Sequence, residues 1–265
     1  MTYSGMHRQS REKLSLILSS AGKVVTIEDA SRALSCDRIT ARNFLSRMHR
    51  SGWLKMITHG VYAPVDLSSD DAQYTEEDPY SIGTVLFKKC YIGAWSAANH
   101  WGLTDQLFLN TWVFTTQKVR KRHVKKGANN FCLFHVAEKD VFGTITEWIG
   151  PQKILISDVH RTLIDFTNHV DFLGLQSLID VFDAYLLLPN CQLETVYDYI
   201  SRLGNRALFK KLGFLISLRR PDQGDLWHRF QISISKGPSF LASQTKCDVY
   251  LKEWNMYVPQ FMVTQ

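Results

Sequence analysis

Apolar residues in the first fifty positions recur with helical spacing. Leu14, Ile17, Leu18 and Ala21 follow an i, i+3, i+4, i+7 pattern with Gly22 as the stop, which predicts a first helix. Thr26, with Asp29 three residues on, is a capping-box-like start for a short second helix to about Leu34 that turns Ile27, Ala30 and Leu34 inward. Asp37 is a candidate N-cap for a third helix, ended by Gly52. On that helix Ala41, Phe44, Leu45 and Met48 share one stripe, and Ile39, Arg42, Asn43, Ser46, Arg47 and Arg50 cluster opposite. Residues 53–58 and 61–63 then read as short strands joined at His59-Gly60. Three helices followed by a hairpin is the order of a winged helix-turn-helix, whose third helix lies in the major groove of DNA.

The stretch VDLSSDDAQYTEEDPYS packs Asp66, Asp70, Asp71, Glu76, Glu77 and Asp78 among small polar residues before Pro79. It reads as a linker that repels DNA phosphate, or more simply as a solvated loop. The expected organisation is a winged helix-turn-helix over residues 1–65, an acidic linker over 66–79, and a larger mixed α/β domain over 80–265 without repeats. In that domain the pattern predicts a short helix over 96–101 closed by Gly102, and strands at 110–116, 130–136, 143–149 and 153–158 in one mixed or antiparallel sheet. A helix follows from Asp158, then a longer one with the stripe Leu175, Leu178, Ile179, Phe182 and Leu186, and two more over 193–203 and 207–218. WHRFQISIS reads as strand-like, ahead of a final CDVYLKEWNMYVP. The fold class is α+β.

Charge changes this picture because of where it sits. The 265 residues are 45% apolar, enough for folded cores throughout, and the net charge is +6. Residues 1–64 hold ten Lys+Arg and four Asp+Glu, so the whole excess lies at the front. That is the footprint of a small module facing a polyanion, unless the asymmetry is an accident of surface lysines. The five cysteines form no Cys-x-x-Cys pair, which suggests neither a disulfide framework nor a zinc site and fits a reducing, cytoplasmic setting. The N-terminus lacks a secretion pattern, and no stretch approaches the roughly 20 apolar residues of a membrane span.

Candidate chemistry concentrates on the third helix. Arg42 and Asn43 suit base edges, Arg to guanine and Asn to adenine, and Ile39 can touch a thymine methyl. Arg38, Ser46, Arg47, Arg50 and the wing residues Lys55 and His59 suit phosphates, which fix position without specifying sequence. A winged helix used for protein contact is the alternative. A second basic run, Lys118, Arg120, Lys121, Arg122, Lys125 and Lys126, reads as a solvated hairpin loop or as a further contact with nucleic acid or an acidic partner. His160 lies near Asp158 and Asp165, but Arg161 and Asp165, four apart, would form an ordinary ion pair, and His100 beside Trp101 reads as a packed helix residue. There is no His-Glu-x-x-His, P-loop, Gly-x-Gly-x-x-Gly or Gly-x-Ser-x-Gly motif, so no catalytic residue, metal ligand or cofactor is expected.

Several segments, in this order, resemble the AbiEi antitoxin family of bacterial abortive-infection and toxin-antitoxin operons. They are the N-terminal module ending in HGVYAPV, the block YIGAWSAANHWGLTDQ, the strand TWVFTT followed by basic residues, and ISDVHRTLIDF with its Leu-rich helix, which together span most of residues 8–190. The resemblance implies a DNA-binding antitoxin that represses its own operon at repeats upstream, with a larger C-terminal domain needed for antitoxicity. It implies a neighbouring toxin resembling a nucleotidyltransferase, opposed without a stable complex. Only the recognition-helix and wing positions carry over residue by residue; dimerisation on inverted repeats is open. Two other functions compete: a winged-helix transcription factor sensing a metabolite, and an enzyme, nuclease or transferase, guided by the winged helix.

Overall fold

The computed structural model describes residues 7–65, 78–106, 108–149 and 151–263. The chain opens with α1 (Arg8–Ala21), β1 (Val25–Thr26), α2 (Ile27–Ala33), α3 (Arg38–Arg50), β2 (Leu54–Thr58) and β3 (Val61–Pro64). Thr26 and Asp29 form a complete capping box: the Thr26 hydroxyl accepts from the Asp29 N–H, and the Asp29 carboxylate accepts from the Thr26 N–H. The apolar stripes of the three helices meet in one core of Leu14, Ile17, Ala30, Ala41, Phe44, Leu45 and Met48, closed by Val25, Leu54 and Tyr62 from the strands. The two residues of β1 pair antiparallel with β3, giving a three-stranded sheet in the order β1-β3-β2. Two residues are too few for any alternation, so β1 was not foreseeable from pattern.

Beyond the acidic stretch, of which residues 66–77 lie outside the described residues, Asp78 caps α4 (Pro79–Phe87) by accepting from the Ser81 N–H at 2.7 Å. The elements that follow are β4 (Cys90–Ile92), α5 (Ala94–His100), β5 (Asn110–Thr115), β6 (His123–Lys126), β7 (Asn129–His135), β8 (Thr144–Ile149) and β9 (Gln152–Ser157). They supply a six-stranded sheet in the order β6-β7-β5-β4-β9-β8. It is mixed, with β5 parallel to β7 and the β4–β5 and β6–β7 pairs antiparallel. Val113 and Phe131 face α4, where Gly83 lets the helix approach closely: a Cβ there would lie 3.2 Å from Phe131 and 3.3 Å from Val113. On the other face Tyr91, Phe114, Phe134 and Trp112 stack at 4.7–5.2 Å between ring centroids, all buried.

The rest of the chain is mainly helical: α6 (Val159–Asn168), α7 (Val170–Leu173), α8 (Leu175–Leu186), α9 (Leu193–Leu203), α10 (Ala207–Arg219) and α11 (Gly224–Ile232), then β10 (Ser239–Phe240), β11 (Val249–Leu251) and β12 (Met256–Val258). The last three form a small sheet in the order β10-β12-β11. WHRFQISIS, expected as strand-like, lies mostly in α11, because Leu226 and Phe230, four apart, are its buried residues and the apparent alternation carries no burial. The chain divides into two compact units. One runs to Ile92 and takes in Leu109–Val136 and Thr146–Leu155; the other comprises Gly93–Phe108, Ala137–Ile145 and Ile156–Gln265. The winged helix and α4 are in the first unit, and α5 to α11 in the second.

In the second unit α6 packs against α5, α8, α9 and α10 and is buried along nearly its whole length. Arg161 and Asp165 pair as their spacing predicts, and the pair is buried: Arg161 Nε donates to Asp165 Oδ1 at 2.9 Å with the side chains 3% and 5% exposed. The i, i+4 spacing was legible; the burial was not, because α6 is enclosed by helices distant in sequence.

Candidate nucleic-acid interface

Helix α3 begins at Asp37, whose Oδ1 accepts from the N–H groups of Ile39 and Thr40 at 2.8 and 3.0 Å and whose Oδ2 accepts from the Thr40 hydroxyl at 2.6 Å. The Thr40 hydroxyl first, then its N–H, hold the Asp37 carboxyl below its ordinary pKa. With Ala41, Phe44, Leu45 and Met48 fixed in the core, the opposite face is left to solvent. Arg38, Ile39, Arg42, Asn43, Arg47 and Arg50 are exposed there, and Ser46 is half-buried. Ile39 is 67% exposed at the first turn, an apolar side chain that packs against nothing in the core. Arg42, Asn43 and Arg50 make no side-chain hydrogen bond or ion pair among the described residues. Arg47 lies 5.4 Å over the Phe44 ring, and Arg38 pairs with Glu28 at 2.5 Å with both side chains in solvent, where such pairs contribute little and yield readily to a polyanion.

The wing is held to this helix by a residue the sequence reading passed over. His49 Nδ1 lies 2.9 Å from the Leu54 carbonyl oxygen, and the His49 ring lies 6.2 Å from that of Tyr62 on β3. A histidine one step off the apolar stripe gave no signal in the sequence. The wing turn is fixed by Gly60, at φ 80°, whose carbonyl accepts from the Ile27 N–H at 3.3 Å. His59 is exposed at that turn and Lys55 half-buried on β2. The structure thus gathers the predicted recognition positions on one face of α3, with Lys55 and His59 on the wing. It places Lys118, Arg120, Lys121, Arg122, Lys125 and Lys126 elsewhere, at β6 and the segment before it, so the run is partly an edge strand rather than a hairpin loop: Lys125 pairs in register with Asn130 and Lys126 with Asn129.

In the second unit, His160 Nδ1 lies 2.7 Å from the Tyr185 hydroxyl, which accepts from the Gln192 N–H at 3.1 Å, and Asp158 accepts from the Tyr199 hydroxyl at 2.8 Å. Burial raises the pKa of the Tyr185 hydroxyl and lowers that of His160, the Asp158 charge partly offsetting the latter. His100 is exposed at the end of α5, edge-on to Trp101, rather than packed inside, because it falls past the helix's last buried residue. An open cleft of about 980 Å³ between the ends of α8, α9 and α10 is lined by Cys191, Glu194, Arg220 and Asp222. Three of its charged side chains are engaged in ion pairs, Arg220 with Asp222 at 3.1 Å and Glu194 with Arg229 at 2.6 Å. Among the described residues no three His, Cys, Asp or Glu side chains are grouped to hold a metal ion, and no helix is long and apolar enough to cross a membrane.

Fold and site define an α+β protein with an N-terminal winged helix whose third helix bares a basic, polar face. Residues 12–65, the segment that builds this module, match the family described as "Transcriptional regulator, AbiEi antitoxin". The downstream blocks that also resemble that family lie outside the matched residues. The whole chain is similar in fold to the crystal structure of RV2827C protein from Mycobacterium tuberculosis, with a TM-score of 0.62 and 14% sequence identity over 97% of this chain and 93% of that one. No curated protein matches the chain in sequence.

Proposed function

We propose that the chain is a DNA-binding antitoxin and autorepressor: α3 reads base edges in an operator upstream of its own operon, and residues 80–265 counteract a nucleotidyltransferase-like toxin without chemistry of their own. The observation that carries this reading is the coincidence of the family match at residues 12–65 with a recognition helix whose core-free face is Ile39, Arg42, Asn43, Arg47 and Arg50. Arg42 and Asn43, free of intramolecular partners among the described residues, take the base contacts, Ile39 a thymine methyl, and Arg38, Ser46, Arg47, Arg50, Lys55 and His59 the phosphates. Two copies on an inverted repeat would place half-sites about one helical turn or a multiple apart. The five free cysteines suit a reducing cytoplasm.

Replacing Arg42 and Asn43 together by Ala is expected to remove sequence preference at about 1–3 kcal/mol per lost base contact, and Lys55→Ala to weaken binding evenly across sequences. Fluorescence anisotropy on specific and shuffled duplexes separates the two; equal losses on both duplexes for both variants contradict the division of roles. For the antitoxin half, co-expression with the neighbouring toxin gene should restore growth, and should still do so when residues 1–65 carry the Arg42/Asn43 double change.

A further inference from the structure

A second basic surface is assembled by the six-stranded sheet from two segments far apart in sequence. Between Asp78 and Glu138 the chain holds eight Lys+Arg and one carboxylate, Asp105. Lys88 and Lys89 follow α4; Lys118 to Lys126 follow β5. The end of β5 joins them: the Thr115 hydroxyl donates to the carbonyls of Phe87 and Lys88 at 2.8 and 3.2 Å, and the Thr116 N–H donates to the Lys89 carbonyl at 3.2 Å. Lys88, Lys89, Lys118, Arg120, Lys121 and Arg122 are all exposed at this rim, and Lys125 is exposed on the adjoining edge strand. Among the described residues Lys88, Lys118, Arg120, Lys121 and Lys125 have no ion-pair partner. Lys88 and Lys89 both hold φ 36°, a conformation side-chain-bearing residues rarely adopt and one that recurs at ligand-binding positions. Charge on an edge strand by itself guards against unwanted pairing; that accounts for Lys125 and Lys126 but not for Lys88, Lys89, Lys118, Arg120 and Lys121, which lie off the edge strand.

We propose that this rim is a second backbone contact for duplex DNA, gripping phosphates that flank the site read by α3. The inference rests on the DNA-binding reading above. Rim and winged helix belong to one compact unit. The winged helix touches the part of the unit that carries the sheet, a Cβ on Gly22 at the end of α1 falling 3.0 Å from the Pro151 ring just ahead of β9. The rim carries charge without bidentate geometry for base edges, so it adds affinity and salt dependence but no sequence preference.

The test compares the full chain with a Lys118→Gln, Arg120→Gln, Lys121→Gln variant, on its upstream duplex and a shuffled one, across salt concentrations. Each phosphate contact contributes about 0.9 to the salt slope, so the slope should fall by about 2 to 3 and affinity at 0.15 M salt about a hundredfold, equally on both duplexes. The nuclease footprint should shrink at the end that the rim covers. Lys121→Gln alone, conservative enough to leave folding intact, should cost about fivefold. A Lys236→Gln, Lys246→Gln, Lys252→Gln variant should bind like the parent. Parental affinity and slope for the rim variants overturn the inference and leave the surface to an acidic protein; an equal loss in the control variant overturns it too, as a net-charge effect. Rim-dependent binding indifferent to Arg42 and Asn43 overturns the α3 reading but not the rim, and absence of DNA binding by the full chain overturns both.

Discussion

Replacing Asp165 by Asn keeps the shape of the α6 ion pair and removes its negative charge. Arg161 stays almost fully enclosed, 3% exposed, its guanidinium 4.8 Å over the Phe142 ring, where bulk solvent has little access to screen the uncompensated charge. Breaking a buried pair by neutralising one partner costs about 3–5 kcal/mol, whereas replacing both partners by apolar residues of similar volume is often neutral or stabilising. Asp165→Asn should therefore lower the urea midpoint by about 1–2 M, taking a slope of about 3 kcal/mol/M. Arg161→Met combined with Asp165→Leu should recover most of that loss. Urea unfolding followed in parallel by tryptophan fluorescence and circular dichroism reads both variants. A shift below about 0.3 M for Asp165→Asn, less than about 1 kcal/mol on that slope, would refute the reasoning, as would a double variant no more stable than the single one.

Other consequences follow from local geometry. Gly213→Ala on α10 would drive a methyl into the Trp254 ring and to 2.8 Å from the Phe230 Cβ, so a loss of about 1–3 kcal/mol is expected in thermal unfolding; an unchanged midpoint would show that the ring yields freely. Thr26→Ala removes one arm of the capping box and should cost about 0.5–2 kcal/mol, with faster hydrogen exchange at Asp29, the N–H that loses its acceptor. Burial keeps the folded-state pKa of His160 below 6.5, so the unfolded chain takes up the proton first: stability should fall as pH drops through about 6.5 and level off below the lowered folded value. His160→Gln should flatten that part of the stability–pH curve, and an unaltered curve would exclude His160 as its source.

The winged helix was legible in the sequence because each of its cues is local. The Thr26–Asp29 cap, the Asp37 cap and the stripe Ala41, Phe44, Leu45 and Met48 are set within one or two turns of chain, and the structure has all three. The sheet was legible strand by strand where an apolar run or an alternation extended over six or seven residues, at β5, β7, β8 and β9, but not at β4 or β6: β4, though apolar, has three residues, and β6 is half lysine. Helix α11 was misread because its alternating apolar and polar side chains mimic a strand, while the choice between periods was made by Leu226 and Phe230 meeting the buried face of α10. Clusters made by distant segments gave no sequence signal at all. Lys88 and Lys118 come to the same end of the sheet only through the β4–β5 pairing, and His49 holds the wing only once β2 has folded back on α3.

The central claim, that α3 and its wing read DNA, is tested most directly by titrating the purified full chain onto a labelled duplex from its own upstream region, with a shuffled duplex as control, at several salt concentrations. The account predicts preferential binding to the upstream duplex with a steep salt slope, and loss of that preference in the Arg42→Ala, Asn43→Ala variant. Absent binding, or binding indifferent to salt and sequence, would contradict it and turn the exposed face of α3 over to a protein partner.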